Sequence, residues 1–433
     1  MTVPPADDSH GIVGDWKART FDSLHNRNYR RFFVGQSISL IGTWMQSVAQ
    51  SWLVLVLTGS GTALGLVVAV QTLPVLLLSP YGGLLVDRAD KRRVLLATQV
   101  TLALLAVILG VLTLTHAVRL WMVVAIAAGL GVTNSVDSPA RQAFIPEMVG
   151  TSALTNAISL NSVMTNAARA IGPAIAGLLI VTVGVGECFL VNAVSFVAII
   201  VALARMNPTQ LRRAHTVNRM PGQLMDGLTY VRRTPRLLVP LLMMALIGAL
   251  SYEFQVVLPV LAQRTFHGNA DAYGYLTATF GAGAMIGGLV VAGRRAQGLR
   301  GVVVAAGAFG LSMLAAAAAP DLVLELAALL LVGAASVAFM SRGNSTLQLT
   351  ADDSMRGRVM ALWTVAFIGT TPIGGPAIGY IAQHAGPRWG LAVGGLAALL
   401  ATTLAAFPHV RRALPHHTPA PGTDALPAGA GPS

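Results

Sequence analysis

Few side chains in this 433-residue chain could hold a charge, a proton or a ligand inside apolar surroundings, and they define the chemistry open to it. Glu253, beside Tyr252, lies in the outer half of an apolar run. A carboxyl that cycles between charged and neutral near water can couple a proton to another movement, so Glu253 is the candidate proton site. The bland alternative is a packing carboxylate bonded to a neighbour. Asp137 sits at the inner end of another run, and Glu325 near the outer end of a third, at the interface. Arg169 is the one basic residue inside an apolar run. It keeps its proton whatever its surroundings, so it can be a gate partner or an anion contact but no proton carrier.

Two polar stripes accompany these charges. Thr155, Ser159, Ser162, Asn166 and Arg169 recur at helical spacing, followed by Gly172-Pro173, a pair that permits close packing and a bend. Gln36, Ser39, Thr43, Gln46 or Ser47, and Gln50 also share one face. Such faces must point at protein or water, as cavity lining or as helix-packing glue.

Absences narrow the choice. There is no G-x-x-x-x-G-K-[ST] loop, so no ATP hydrolysis is expected, and no metalloprotease or G-x-S-x-G signature, so no enzyme. Cys188 is the sole cysteine, which excludes an intramolecular disulfide and a Cys-based metal site. His409, His416 and His417 read as a solvated tail; no metal and no cofactor are expected.

The elements that hold these residues are apolar runs. With 54% hydrophobic and 11% charged residues, the chain departs from soluble proteins, which carry about 25% charged residues. The runs are roughly 20 residues long, the length that crosses a hydrocarbon core. They predict helices at 32–57, 62–86, 94–115, 119–138, 153–183, 186–204, 237–262, 271–292, 300–319, 322–344, 358–383 and 388–407. The net charge of +12 lies between the runs, which argues against a nucleic-acid partner. Placing the N-terminus in the cytoplasm assigns 25 Lys and Arg to that side and 3 to the other, as the positive-inside rule requires. No cleavable signal is expected; the first run serves as the insertion signal. The Arg, Ala and Gly content suggests a GC-rich bacterial genome, hence an inner-membrane location.

The chain also repeats itself. Gly82-Gly83-Leu84 returns as Gly287-Gly288-Leu289, and Gly172-Pro173-Ala174-Ile175 as Gly375-Pro376-Ala377-Ile378. Both pairs fall on helices n and n+6. The organisation expected is a cytoplasmic segment 1–31, a six-helix bundle 32–204, a linker 205–236, a second bundle 237–407 and a disordered tail 408–433. Repeats of this kind mark secondary transporters that bind substrate between the halves. Asp137 and Arg342 occupy equivalent positions in the repeat and are a candidate gate pair.

Between the second and third runs stands Gly83-Leu84-Leu85-Val86-Asp87-Arg88-Ala89-Asp90-Lys91-Arg92-Arg93. It resembles the loop signature of the major facilitator superfamily: Gly83, Leu85, Asp87, Arg88, Lys91 and Arg92 match in register, while Asp90 replaces the usual Gly. The segment Asp137 to Glu147, His25 to Arg30, Tyr230-Val231-Arg232 and Arg356 to Met360 resemble one branch, the enterobactin-exporter-like and macrolide-efflux-like transmembrane secretion effectors. The resemblance spans about residues 20–410. It implies an all-α integral membrane protein with twelve helices in two pseudo-symmetric six-helix bundles. It implies that the Asp87 loop locks the halves on the cytoplasmic side, and that the first-helix face with Gln36, Thr43 and Gln50 lines a cavity; Ser162, Asn166 and Arg169 are candidates for the same lining by their own polar stripe. The function it implies is export of an amphipathic drug, macrolide-like compound or siderophore by a monomer, driven by protons, with no ATP. A nutrient importer and a non-transporting membrane sensor or assembly partner are the other readings.

Overall fold

A computed structural model of the chain describes residues 22–150, 153–211, 223–292, 298–352 and 355–406. Most of the N-terminal segment, the middle of the linker, Arg294, Arg295 and the tail with its histidines lie outside these residues. Twelve helices are long and apolar enough to cross a membrane, and no strand occurs among the described residues. The first half holds α1 (Arg27–Thr58), α2 (Gly61–Arg88), α3 (Lys91–Leu114), α4 (Leu120–Val149), α5 (Leu154–Thr182) and α6 (Val185–Ala204). The second holds α7 (Pro235–Arg264) and α11 (Arg356–His384), with α8 (Ala270–Ala292), α9 (Gly298–Ala318), α10 (Leu322–Thr350) and α12 (Pro387–Ala406). The linker contributes a short helix, Gln223–Arg233.

Three helices differ from expectation in instructive ways. α4 does not end at 138 but continues to Val149 through Pro139 and Pro146. Asp137 therefore lies well inside the helix. Pro139 frees the carbonyl of Ser135, four residues back, from its helical bond. The backbone of Gly82 packs against that carbonyl, where a side chain would collide. α7 and α11 are each interrupted rather than continuous. α11 stops at Ile368 and resumes at Thr371, because Pro372 cannot donate its backbone bond or tolerate the preceding turn. α7 stops at Ser251 and resumes at Phe254 with no proline at the break. There the hydroxyl of Ser251 donates to the carbonyl of Gly394 on α12 at 2.7 Å, and Tyr252 Oη to Ser336 on α10 at 2.8 Å. Cross-helix contacts hold the interruption.

The sequence repeat is a packing repeat. Gly82 on α2 faces the backbone of α4, and Gly287 on α8 faces Ala334 on α10. Without a hydrophobic drive in lipid, close backbone approach at small residues is what joins such helices. Gly172 on α5 lies against Ile41, Trp44 and Met45 of α1. Its counterpart Gly375 lies against α2 and beside Glu253 of α7.

The halves meet mainly through α2 with α11 and α5 with α8. The contacts concentrate at one end, near the short loops that the charge pattern assigns to the outside. Gly61 faces Gly379, Gly65 faces Gly375, and Gly177 faces Gly274. Met45, Val48, Trp52 and Leu55, from the α1 segment nearest that end, pack into the second half's core. Trp52 stacks on Tyr273 of α8 at 6.4 Å between ring centroids. The beginning of α1, by contrast, packs into its own half through Tyr29 and Phe32.

Candidate functional site

The interruptions of α7 and α11 come together around Glu253. This carboxyl is 4% exposed. It is hydrogen-bonded to Thr371, while its Oε1 has no partner among the described residues. A Cβ built on Gly374 would lie 3.1 Å from Oε1, and one on Gly375 would lie 3.5 Å from Oε2. Glu253 thus lies over the first turn of the second α11 segment, whose Ile373 and Gly374 N–H groups already donate to the Thr370 carbonyl at 3.1 and 2.8 Å. A side chain at Gly374 would crowd the carboxyl, whereas one at Gly375 would stand in ordinary van der Waals contact with it. A buried carboxyl oxygen without a partner calls for a proton, a water or a ligand.

On the other flank of the α7 break stand Tyr252 and Arg169. The Arg169 guanidinium lies over the Trp44 ring of α1, 5.0 Å from its centroid, and Tyr252 is within its electrostatic reach. Its Nε has no hydrogen-bond partner among the described residues. Tyr252 in turn meets Phe309 at 5.3 Å and Phe367 at 5.2 Å between ring centroids. A permanent cation thus stands beside an aromatic wall built from α1, α7, α9 and α11.

A polar latch closes the short-loop end. Arg264, at the end of α7, donates through Nη1 to the Gln383 carbonyl and through Nη2 to Gln383 Oε1 and the Gly59 carbonyl, at 2.8, 2.9 and 2.8 Å. The N–H of Gly61 also donates to Gln383 Oε1, at 2.9 Å. The first half thereby gives an acceptor and a donor to a pair of second-half side chains.

At the arginine-rich end, the loop between α2 and α3 clips the first half together. Lys91 pairs with Glu147 at the end of α4, at 2.7 Å. Arg92 donates to the carbonyls of Leu203 and Ala204 at 2.6 and 2.7 Å, satisfying orphan groups at the C-terminus of α6. Asp90, the departure from the superfamily pattern, caps α3 by accepting the N–H of Arg93 at 3.1 Å. Its φ of −70° needs no glycine. Gly83 is buried in the last part of α2, Asp87 is half-buried, and Arg88 is exposed.

The candidate gate pair is not joined in this conformation. Asp137 is fully buried and accepts from Thr98 at 2.7 Å and Gln99 at 2.8 Å on α3, and from Arg141 one turn along α4. Arg342 instead donates to the Gly301 carbonyl on α9 at 3.3 Å. Each residue ties its helix to the preceding one within its own half.

The expected cavity residues divide. Gln50 bonds to Gln71 of α2 at 3.0 Å, and Gln46 accepts from Asn192 of α6 at 2.6 Å, so these serve helix packing. Gln36 is buried. Thr43 is exposed and donates back to Ser39. Ser162 is exposed on α5, while the Asn166 side chain lies outside what is described. Pro173 is buried beside Gly172 and leaves α5 unbroken. Glu325, expected at the interface, is 1% exposed inside the protein. The latch residues Arg264 and Gln383 escaped the sequence reading. Nothing local in the sequence links Arg264 to Gln383, 119 positions away.

Comparison with known proteins adds an independent line. The family described as transmembrane secretion effector matches residues 18–420. Among relatives, the staphyloferrin A transporter of Staphylococcus aureus is 28% identical over 60% of this chain and 66% of its own length. The chain thus spans just under two thirds of that relative. The multidrug efflux pump Tap of Mycolicibacterium fortuitum is 28% identical over 80% of this chain and 87% of its own length. The enterobactin exporter EntS of Escherichia coli O127:H6 is 25% identical over 81% and 84%. Among solved structures, a POT family transporter in complex with 5-aminolevulinic acid superposes with a TM-score of 0.72 at 12% identity, covering 89% of this chain and 97% of that one. A bacterial homologue of the iron transporter ferroportin gives 0.67 at 17% identity, covering 87% and 97%.

Proposed function

The chain belongs to the transmembrane secretion effector family of the major facilitator superfamily, and from that premise we propose that it is a proton-coupled exporter of an amphipathic small molecule. The family and the relatives named above are transporters rather than enzymes. Export follows the efflux and exporter relatives, and their substrates suggest a drug, a macrolide-like compound or a siderophore. The membrane is the bacterial inner membrane, with both termini and the arginine-rich end in the cytoplasm, and the monomer is the working unit. In that orientation the halves are sealed outside, and the site opens inward to collect substrate.

One observation carries the coupling: Glu253 is a buried carboxyl, with one oxygen unpartnered among the described residues, where two interrupted helices cross. Discontinuous helices near the repeat interface are where secondary transporters hold coupling ions. Proton entry at Glu253 would compete with its bond to Thr371 and loosen α7 from α11, which borders the outer seal. One charge moving down 100 mV releases about 2.3 kcal/mol, enough for roughly a fifty-fold substrate gradient. The Asp87 loop, held to its own half by Lys91 and Arg92, would dock on the second half when the inner side closes.

The test uses everted vesicles containing the protein and a preset pH gradient, with drugs, macrolides and catecholate siderophores added in turn. Collapse of the gradient by one compound, abolished by Glu253→Gln, supports proton-coupled export through this acid. Substrate movement that ignores the gradient would remove the proton, and uptake in the opposite direction would favour an importer. No response from correctly inserted protein would favour the sensor or assembly role.

A further inference from the structure

A half-buried cation among apolar helices needs a counter-charge, and Arg169 has none that the described carboxyls supply. Glu253 follows Tyr252 in sequence, yet its carboxyl is turned to Thr371, Gly374 and Gly375 of α11. Asp137 is occupied by Thr98, Gln99 and Arg141. The guanidinium cannot lose its proton to escape the cost, and a charge left unpaired at this depth is expensive enough to imply a function. The groups around it are aromatic: Trp44 beneath the guanidinium, Tyr252 within its electrostatic reach, and Phe367 and Phe309 against Tyr252. It also lies on the seam between the halves, since the carbonyl of Arg169 faces Gly281 of α8.

We infer that Arg169, with Trp44 and Tyr252, forms a binding site for an anionic group of the transported molecule, a carboxylate or similar oxyanion on a flat or apolar frame. This rests on the transporter reading. Bound there, the oxyanion pairs with the free side of the guanidinium, and the frame lies along the aromatic wall. A cationic compound of the same shape meets repulsion. Because Arg169 sits on the seam, a ligand held by it touches both halves. Its charge is met in the inward-open form and must be released when the seam opens outward.

Isothermal titration of the full chain in lipid nanodiscs tests this with three probes of one shape: 2-naphthoate, neutral 2-naphthalenemethanol and cationic 2-naphthylmethylammonium, each corrected for empty nanodiscs. The expected result is that naphthoate binds about tenfold or more tighter than the other two, the size of a charge-assisted bond. Arg169→Gln removes that preference and leaves the alcohol's weak binding in place, while Arg169→Lys keeps most of it. A loss of alcohol binding as well would point to misfolding, and the Arg169→Lys comparison then decides. The inference is overturned if naphthoate shows no preference over the alcohol in the native protein, if Arg169→Gln keeps that preference, or if the cation binds best. Flux of a cationic drug in the vesicle assay without anion preference sinks this site but leaves transport standing. An Arg169-dependent anion preference without any flux does the reverse.

Discussion

The side-chain carbonyl of Gln383 accepts the backbone N–H of Gly61 at 2.9 Å, joining residues 322 positions apart from opposite halves of the molecule. The same oxygen accepts from Arg264, whose guanidinium also reaches Gly59. Any conformation open at the short-loop end must break these bonds. Each net contribution is about 0.5–1.5 kcal/mol. Gln383→Ala should therefore shift the equilibrium roughly tenfold towards that open form. Spin labels on Leu66 and Tyr380 would report it as a longer distance in a larger fraction of molecules. An unchanged distance distribution would show that the glycine seam alone holds the closure.

Gly374 predicts a steric result. A Cβ there meets the backbone of Ala249 and the carboxyl of Glu253. Gly374→Ala should cost about 1–3 kcal/mol through overpacking, visible as a lower melting temperature in detergent and as lost transport. Gly357→Ala, on the same helix with nothing within 4 Å of the new carbon, should leave both unchanged. Equal melting temperatures for the two variants would contradict the packing at the α7–α11 crossing.

Asp137 supplies a test of gate against strut. Its carboxylate holds three donors within the first half, including the charged Arg141. Asp137→Asn leaves that half-buried guanidinium, 22% exposed, without its counter-charge, and losing a charge-assisted hydrogen bond of this kind costs about 1.5–3 kcal/mol. Stability and transport should fall together. Intact stability with altered transport would restore the pairing with Arg342 in another conformation.

Lys91 and Glu147 should show measurable coupling. Both side chains are largely buried, at 12% and 7% exposure, and 2.7 Å separates their charged atoms. A double-mutant cycle with Lys91→Met and Glu147→Gln, read by thermal unfolding, should give a coupling of about 1–3 kcal/mol. Additive effects would mean that the loop's basic residues do not clip α3 to α4.

Much of the architecture could be read from the sequence. Twelve runs and two repeated glycine motifs gave the spans and the halves, and Gly82 and Gly287 proved to be packing points. The site was only partly readable. Gln36, Thr43 and Gln50 share a helical face in the sequence, yet Gln50 turns to Gln71 while Thr43 stays exposed. Periodicity names a face; it does not say which neighbour the face meets.

The sequence by itself determined the spans, their number and the twofold repeat, because bilayer thickness fixes the length of each apolar run and each span satisfies its own backbone. It also marked Glu253 and Arg169, since a charge in an apolar run stands out without any knowledge of its neighbours. Tertiary structure decided the break in α7 at Tyr252–Glu253, the crossing with α11, the Arg264–Gln383 latch, and the containment of Asp137 within its own half. These depend on how far each helix is rotated and tilted against partners distant in sequence. Those angles come from packing at glycines such as Gly65, Gly374 and Gly379, and local residue patterns carry no record of them.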